Sequence, residues 1–230
     1  MGRPIARSAI RLLARAMLLC TRTSVSGREN LPKGGPLLVV FNHLGHTDAL
    51  ILMAVLPWEM ETLALSDLYR IAVTGAMLRL YGAIPVHRDA FDRGVVERAL
   101  SALRNGGILI LAPEARMSVT GALEKARGGA AYLALKTGVP ILPVALTGAE
   151  NSKFYGALKR LHRPRVTLSI GQVFCLPDLP VDGSQRRASV AQASDMIMQR
   201  IAALLSPAYR GVYAEAVSTP VAPADPDPGA

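Results

Sequence analysis

The chain has 230 residues, half of them hydrophobic, and carries 26 Lys plus Arg against 17 Asp plus Glu, a formal net charge of +9. That length supports one substantial core, and the charge favours an anionic partner: nucleic acid, an anionic membrane or a phosphorylated substrate. Cys20 and Cys175 lie far apart and outside any CxxC pattern, which argues against a disulfide scaffold or a zinc site, and no apolar run reaches the roughly 18 residues of a spanning helix.

The opening segment, MGRPIARSAIRLLARAMLLC, has an apolar stretch broken by Arg11 and Arg15. It is too short for a secretory signal, so the N-terminus is expected to be retained. Ala6 stands where myristoylation favours Ser or Thr. Arg3, Arg7, Arg11 and Arg15 form a slowly drifting basic stripe on a helix, with Ile10, Leu12, Leu13, Met17 and Leu18 beside it and no acid before Glu29. Two readings stand side by side. The helix lies on anionic lipid with its arginines reaching headgroups, or it docks on the domain with a solvated basic face.

From Pro36 onward short apolar runs alternate with helical periods. PLLVVF reads as a buried strand and TDALILMAVL as a helix capped at Thr47 or Asp48. ETLALS is strand-like, a helix is expected around residues 68–80, and GAIPVH is a short strand. DRGVVERALSALRNG is an amphipathic helix closed by Asn105-Gly106. GILILAP is a strand, GGAAYLALKTG a helix ended by Gly138, PILPVALTG and RVTLSIGQVF are strands, and residues 184–205 form the last helix. The near-continuous apolar runs fit strands covered on both faces. The expected fold is α/β: a single three-layer domain with a central, mostly parallel or mixed sheet flanked by helices, plus the N-terminal basic amphipathic helix. The divisions are 1–24 for that helix, 25–206 for the domain, and 207–230 for a C-terminal segment whose Pro-rich end reads as disordered.

No GxSxG, P-loop, GxGxxG or HExxH occurs. What stands out is VVFNHLGHTDALIL, where His43 and Asp48 are five residues apart at the lip of a strand. On one helix that spacing would put them about 140° apart, so they meet only if the chain turns between them, and Gly45 makes a turn cheap. The Asp48 carboxylate can then accept from one imidazole nitrogen and leave the other as a base facing a cleft. This is base-and-orienter logic without a protein nucleophile, which a substrate hydroxyl would supply. An isolated HxxxxD also fits a plain helix cap beside a satisfied polar side chain. His46 is a rival base, read as a lining or solvent residue.

Three more clusters follow at strand ends: YGAIPVHRD (81–89), ILAPEARMS (110–118) and GVPILPVALTG (138–148). With NHLGHTD, these blocks resemble in order and spacing those of the glycerolipid (lysophosphatidate-type) acyltransferase family, over roughly residues 25–150. The resemblance implies acyl transfer from acyl-CoA or acyl carrier protein to a lipid hydroxyl, in the first place that of lysophosphatidate, which becomes phosphatidate. Glycerol 3-phosphate or another lysolipid are alternative acceptors, and a non-catalytic basic membrane scaffold of the same fold is a further one. His43 is implied as the base and Asp48 as its orienter, with no acyl-enzyme, no metal and no cofactor beyond the thioester co-substrate. Arg88 is implied as the phosphate ligand, guanidinium suiting phosphate through its fork of donors; a surface ion pair with Asp89 or Asp92 is the plainer role.

The family's third block reads Phe-Pro-Glu-Gly-x-Arg-Ser. Here it is Ala112-Pro113-Glu114-Ala115-Arg116-Met117-Ser118, with alanine for glycine and the arginine one residue early. Glu114 is assigned to acceptor hydroxyls or to a neighbouring arginine. Arg116, Asn42, Gly82, Pro113, Ser118 and Pro143 are placed on the substrate side, and Gly128-Gly129 lie where a backbone could approach a ligand. A second basic run, Lys153, Lys159, Arg160, Arg163 and Arg165 with His162, has no acid between Glu150 and Asp178. It suits coenzyme A phosphates, an acidic carrier or lipid headgroups, or is a solvated loop. The expected partners are an anionic membrane surface, the acyl donor and the lysophospholipid, and not nucleic acid, since no aromatics interleave with the basic residues. The expected location is the cytoplasmic face of the membrane, peripheral or monotopic.

Overall fold

The computed structural model describes residues 2–87 and 92–215, with side chains from Ile5 onward. Seven strands form one mixed sheet in the order β1-β7-β6-β2-β5-β3-β4. They are β1 (Arg22–Ser26), β2 (Leu37–Phe41), β3 (Glu61–Leu65), β4 (Ile84–Val86), β5 (Ile108–Leu111), β6 (Ile141–Thr147) and β7 (Arg165–Ile170). β2 lies between β5 and β6, parallel to both. The β6–β7 pairing is antiparallel and β1 runs parallel to β7, so these two strands at one end of the sheet oppose the other five. All five residues of β2 are buried, as a doubly covered parallel strand requires. Burying each Leu or Val of β2 contributes about 1.5–3 kcal/mol.

The described helices are α1 (Gly2–Leu19), α2 (Asp48–Val55), α3 (Ala72–Tyr81), α4 (Arg93–Arg104), α5 (Gly129–Thr137), α6 (Asn151–Lys159) and α7 (Arg186–Ala203). α4, α5 and α7 contribute to the core on one face of the sheet; α1, α2 and α6 contribute to the core on the other. Each half of the core takes alternate side chains of β2, Leu37, Val39 and Phe41 on one side, Leu38 and Val40 on the other. The expected helix at 68–80 divides into a 3-10 turn, Ser66–Arg70, and α3. β1 was not anticipated, because its five residues alternate exposed and half-buried. Nor was α6, which occupies the start of the second basic run. The chain continues past residue 206 as a packed segment, with Tyr213 buried in the core; residues 216–230, the expected disordered end, lie outside the described residues.

α1 docks on the domain, as the second reading has it, but its basic face is only partly solvated. Arg7 and Arg11 turn towards the protein, while Arg15 stays exposed. Arg7 donates to Tyr81 O (2.9 Å) and to Glu61 Oε1 (2.6 Å), Arg11 donates to Leu56 O, and Arg15 to Ala54 O (3.4 Å). Ala54 and Leu56 end α2, where carbonyls lack helical partners and the dipole favours cations. Arg11, with the exposed Arg15, thus serves the end of α2, and Arg7 serves Glu61 and the end of α3, while Ile10 and Ala14 fill the seam. The opposite face leaves Ile5, Leu12, Leu13 and Leu19 64–77% exposed. Neighbouring α3 adds exposed Ile71, Val73 and Leu80. Arg3 lies outside the described side chains. No described helix is long and apolar enough to cross a membrane.

Arg11→Met keeps the bulk of the stem but leaves the end of α2 without its donor. Denaturant unfolding should show a loss of about 1–3 kcal/mol, whereas Leu13→Glu on the exposed face should change stability by less than about 0.5 kcal/mol.

Candidate active site

The site begins where β2 stops. Asn42 continues the pairing of β2 with β6 through its side chain: Nδ2 donates to Leu146 O (2.9 Å) and Oδ1 accepts from Leu146 N–H (2.7 Å). The backbone is thereby released to turn. His43 N–H donates to Glu114 Oε1 (3.1 Å), and His43 C=O accepts from Ser118 N–H (2.7 Å). The turn folds back onto one atom, Oδ2 of Asp48, which accepts from Leu44 N–H (2.6 Å), Gly45 N–H (2.9 Å) and His43 Nδ1 (2.8 Å). Asp48 is the first residue of α2 and is completely buried. The carboxylate acts as an acceptor here, so Nδ1 carries the proton and Nε2 is left with a lone pair.

Gly45 is required for space rather than for a left-handed backbone. A Cβ on it would sit 2.3 Å from Ala149 O and 2.9 Å from Asn151 Oδ1. Asn151, at the start of α6, also accepts from His46 N–H (3.0 Å). Sequence reasoning missed this buttress because the two segments are about a hundred residues apart. His46 itself is exposed and does not line the cavity described below.

The third block wraps the other side of His43. Glu114 is 2% exposed and divides its carboxyl between His43 N–H and Glu124 N–H (2.9 Å to Oε2). Ala115, standing where the family has glycine, keeps a left-handed φ of 56°, a conformation costing an L-residue roughly 1–2 kcal/mol. Arg116 turns outward and pairs with Glu124 (Nε to Oε2, 2.6 Å). Ser118 closes a turn by donating to Ala122 O (2.6 Å) and accepting from Gly121 N–H (3.0 Å). Gly82 ends α3 at a left-handed φ of 80°, and Pro143 lies within β6 opposite Val40. Arg88 lies outside the described residues.

His43 lines a cavity of about 740 Å³, within the usual range for small-ligand sites. Its walls are largely apolar: Leu65 and Val86 at the strand ends, Val96 and Ala99 from α4, Leu133 from α5 and Val190 from α7. Pro113, Ala115, Gly128 and Gly129 also line it, whereas Asn42, Gly82, Glu114, Arg116, Ser118 and Pro143 do not. The arrangement thus joins a base to an apolar slot, with Asn42, Glu114 and Ser118 acting on the backbone around that base. The Glu114 carboxyl is pushed up to about 7 by burial, held back by the N–H groups of Glu124 and His43.

Residues 22–147 match the family model described as Acyltransferase, and the chain belongs to that family. Among curated relatives, it is 30% identical over 129 residues to the 1-acyl-sn-glycerol-3-phosphate acyltransferase of Borreliella burgdorferi, covering 55% of this chain and 52% of that one. It is 25% identical to the Bacillus subtilis enzyme of the same name, over 77% of this chain and 85% of that one. With the human alpha form the identity is 28%, over 70% of this chain and 56% of that one. The chain thus spans about half the length of several relatives it matches. The crystal structure of the 1-acyl-sn-glycerophosphate (LPA) acyltransferase PlsC from Thermotoga maritima superposes with a TM-score of 0.63 at 22% identity, covering 85% of this chain and 80% of that one. That likeness concerns the fold.

Because Glu114 is raised from 4.5 to about 7 in the folded state, the folded protein binds more protons than the unfolded chain between those values. The contribution of Glu114 to stability is therefore highest below pH 4.5, falls as pH rises through this window and levels off above 7, a total loss of up to about 3 kcal/mol. Denaturant unfolding at a series of pH values should show wild type losing stability relative to Glu114→Gln across that window; parallel curves would contradict the assignment.

Proposed function

We propose that the protein transfers a fatty acyl group from a thioester donor, acyl-CoA or acyl carrier protein, to the free sn-2 hydroxyl of lysophosphatidate, forming phosphatidate. The observation that carries this reading is His43 Nδ1, 2.8 Å from the buried Asp48 carboxylate, on an apolar cavity of about 740 Å³ in a chain of the acyltransferase family. The acceptor follows the named activity of the curated relatives.

Asp48 holds the Nδ1 proton, and Nε2 takes the proton of the acceptor hydroxyl as its oxygen attacks the thioester carbonyl carbon. The new C–O bond forms while the carbonyl π pair moves to oxygen. Collapse of this intermediate breaks the C–S bond, and the leaving sulfur takes the proton from Nε2, which restores the base. Asp48 stabilises the transient imidazolium from a site that water does not reach. No acyl-enzyme is needed, and the acyl chain lies in the apolar cavity.

Lipid substrates have to be met at a membrane, and the exposed leucines of α1 support an interfacial position. The apolar face of α1 enters the interface, and the net positive charge draws the protein to anionic lipid. Its arginines serve the fold, so this differs from headgroup binding by the basic stripe.

The test is an acyl-transfer assay on anionic vesicles containing lysophosphatidate, with each thioester donor in turn. Wild type should form phosphatidate, and His43→Ala should lose roughly 10²–10⁴-fold in rate. Leu12→Glu with Leu13→Glu should leave the fold intact but reduce both vesicle binding and turnover. Undiminished transfer by His43→Ala would eliminate His43 as the base.

A further inference from the structure

The cavity that His43 lines has a charged rim that the chemistry above leaves unused. Arg127, Arg186 and Arg187 all line it and are all exposed, so they stand at its opening. Arg127 precedes α5, and the other two begin α7, sixty residues further along the chain.

The rim is linked to the catalytic loop by short contacts. Arg127 N–H donates to Pro113 O (2.9 Å), and the next residue, Glu114, accepts from His43 N–H. α7 closes on the same place, with Val190 Cγ1 2.9 Å from where a Cβ on Gly128 would sit. The Arg186 guanidinium lies over the Tyr132 ring of α5, 4.9 Å from its centroid, which orients the cation without neutralising it.

Among the described residues, none of the three arginines forms an ion pair with a carboxylate. The nearest acid in sequence to α7's arginines, Asp182, is taken by Lys136. Three cations gathered at one opening repel one another until an anion joins them. Arg116, placed on the substrate side by the resemblance, is already held by Glu124 at 2.6 Å.

We propose that Arg127, Arg186 and Arg187 form a phosphate-binding subsite at the mouth of the cavity, seating a phosphate group carried by one of the two substrates while His43 acts on the reacting end. The inference rests on the acyl-transfer reading. The shared chemistry is a phosphate on a flexible chain, either the phosphomonoester of the acceptor or the phosphate of a phosphopantetheine-bearing donor. Guanidinium forks suit such oxygens bidentately, and the first turns of α5 and α7 contain no acidic residue to oppose them.

The experiment compares wild type with Arg186→Gln/Arg187→Gln and, separately, Arg127→Gln, each checked for wild-type thermal unfolding. KM is measured for acyl-CoA and for lysophosphatidate in turn. Coenzyme A and glycerol 3-phosphate are titrated calorimetrically as probes that need no turnover. The subsite predicts a rise of roughly tenfold or more in one KM, with kcat little changed and the matching probe weakened to a similar degree. A rise for acyl-CoA with loss of coenzyme A binding assigns the donor's phosphate; a rise for lysophosphatidate with loss of glycerol 3-phosphate binding assigns the acceptor's. Unchanged KM values and probe affinities overturn the subsite, and so does a fall in kcat alone. Absence of turnover in wild type would instead count against the acyl-transfer reading, while the probe titrations still report on the arginines.

Discussion

Everything at the site depends on one oxygen. Oδ2 of Asp48 gathers two backbone N–H groups and the imidazole of His43 within 2.9 Å, and bonds of this kind to a charged group are worth about 1.5–3 kcal/mol each. They offset the desolvation of a completely buried carboxylate and fix the loop between β2 and α2 in one conformation. The same contacts decide which imidazole nitrogen is free. Loop shape and chemical competence therefore follow from a single acceptor.

The sheet supplies the place for that acceptor. β2 lies centrally between β5 and β6, so its C-terminal end is flanked by the loops that follow both neighbours. Asn42 borrows Leu146 of β6 to end the pairing cleanly, and Glu114, after β5, catches the released His43 N–H. Ligand sites of parallel α/β sheets form at such carboxyl ends. Here the space beyond is walled by α4, α5 and α7, which turns a polar turn into the mouth of an apolar slot. Changes around His43 would act through the main chain of the site, because the side chains of Asn42, Glu114 and Ser118 bond the backbones of Leu146, of His43 and Glu124, and of Gly121 and Ala122.

The α/β alternation and the closeness of His43 to Asp48 were legible from local signals. Buried runs such as LLVVF declare themselves over a few residues, whereas Thr47 takes the N-cap position without a side-chain cap bond and Asp48 turns back to the loop before it. What escaped was non-local. Gly45 read as a residue that eases a turn, but it is also a contact surface for Ala149 and Asn151. The arginines of α1 read as a face for lipid or solvent, because no sequence pattern announces that the end of α2 needs donors. Arg116 stands one residue early in its motif, and nothing in the motif announces that Glu124, eight positions on, holds it. The cavity rim was equally hidden, since Arg127 and Arg186 become neighbours only through the packing of α7 against α5.

The most direct test of the central claim is the tautomer of His43, read from the nitrogen shifts and couplings of its ring by NMR of the uniformly labelled protein under conditions where the imidazole is neutral. The three-donor geometry at Asp48 predicts a proton on Nδ1, with a hydrogen-bonded downfield resonance that disappears in Asp48→Ala, and an unprotonated Nε2. A proton resident on Nε2 in the wild-type protein would contradict the account, because the nitrogen assigned to receive the hydroxyl proton would already be occupied.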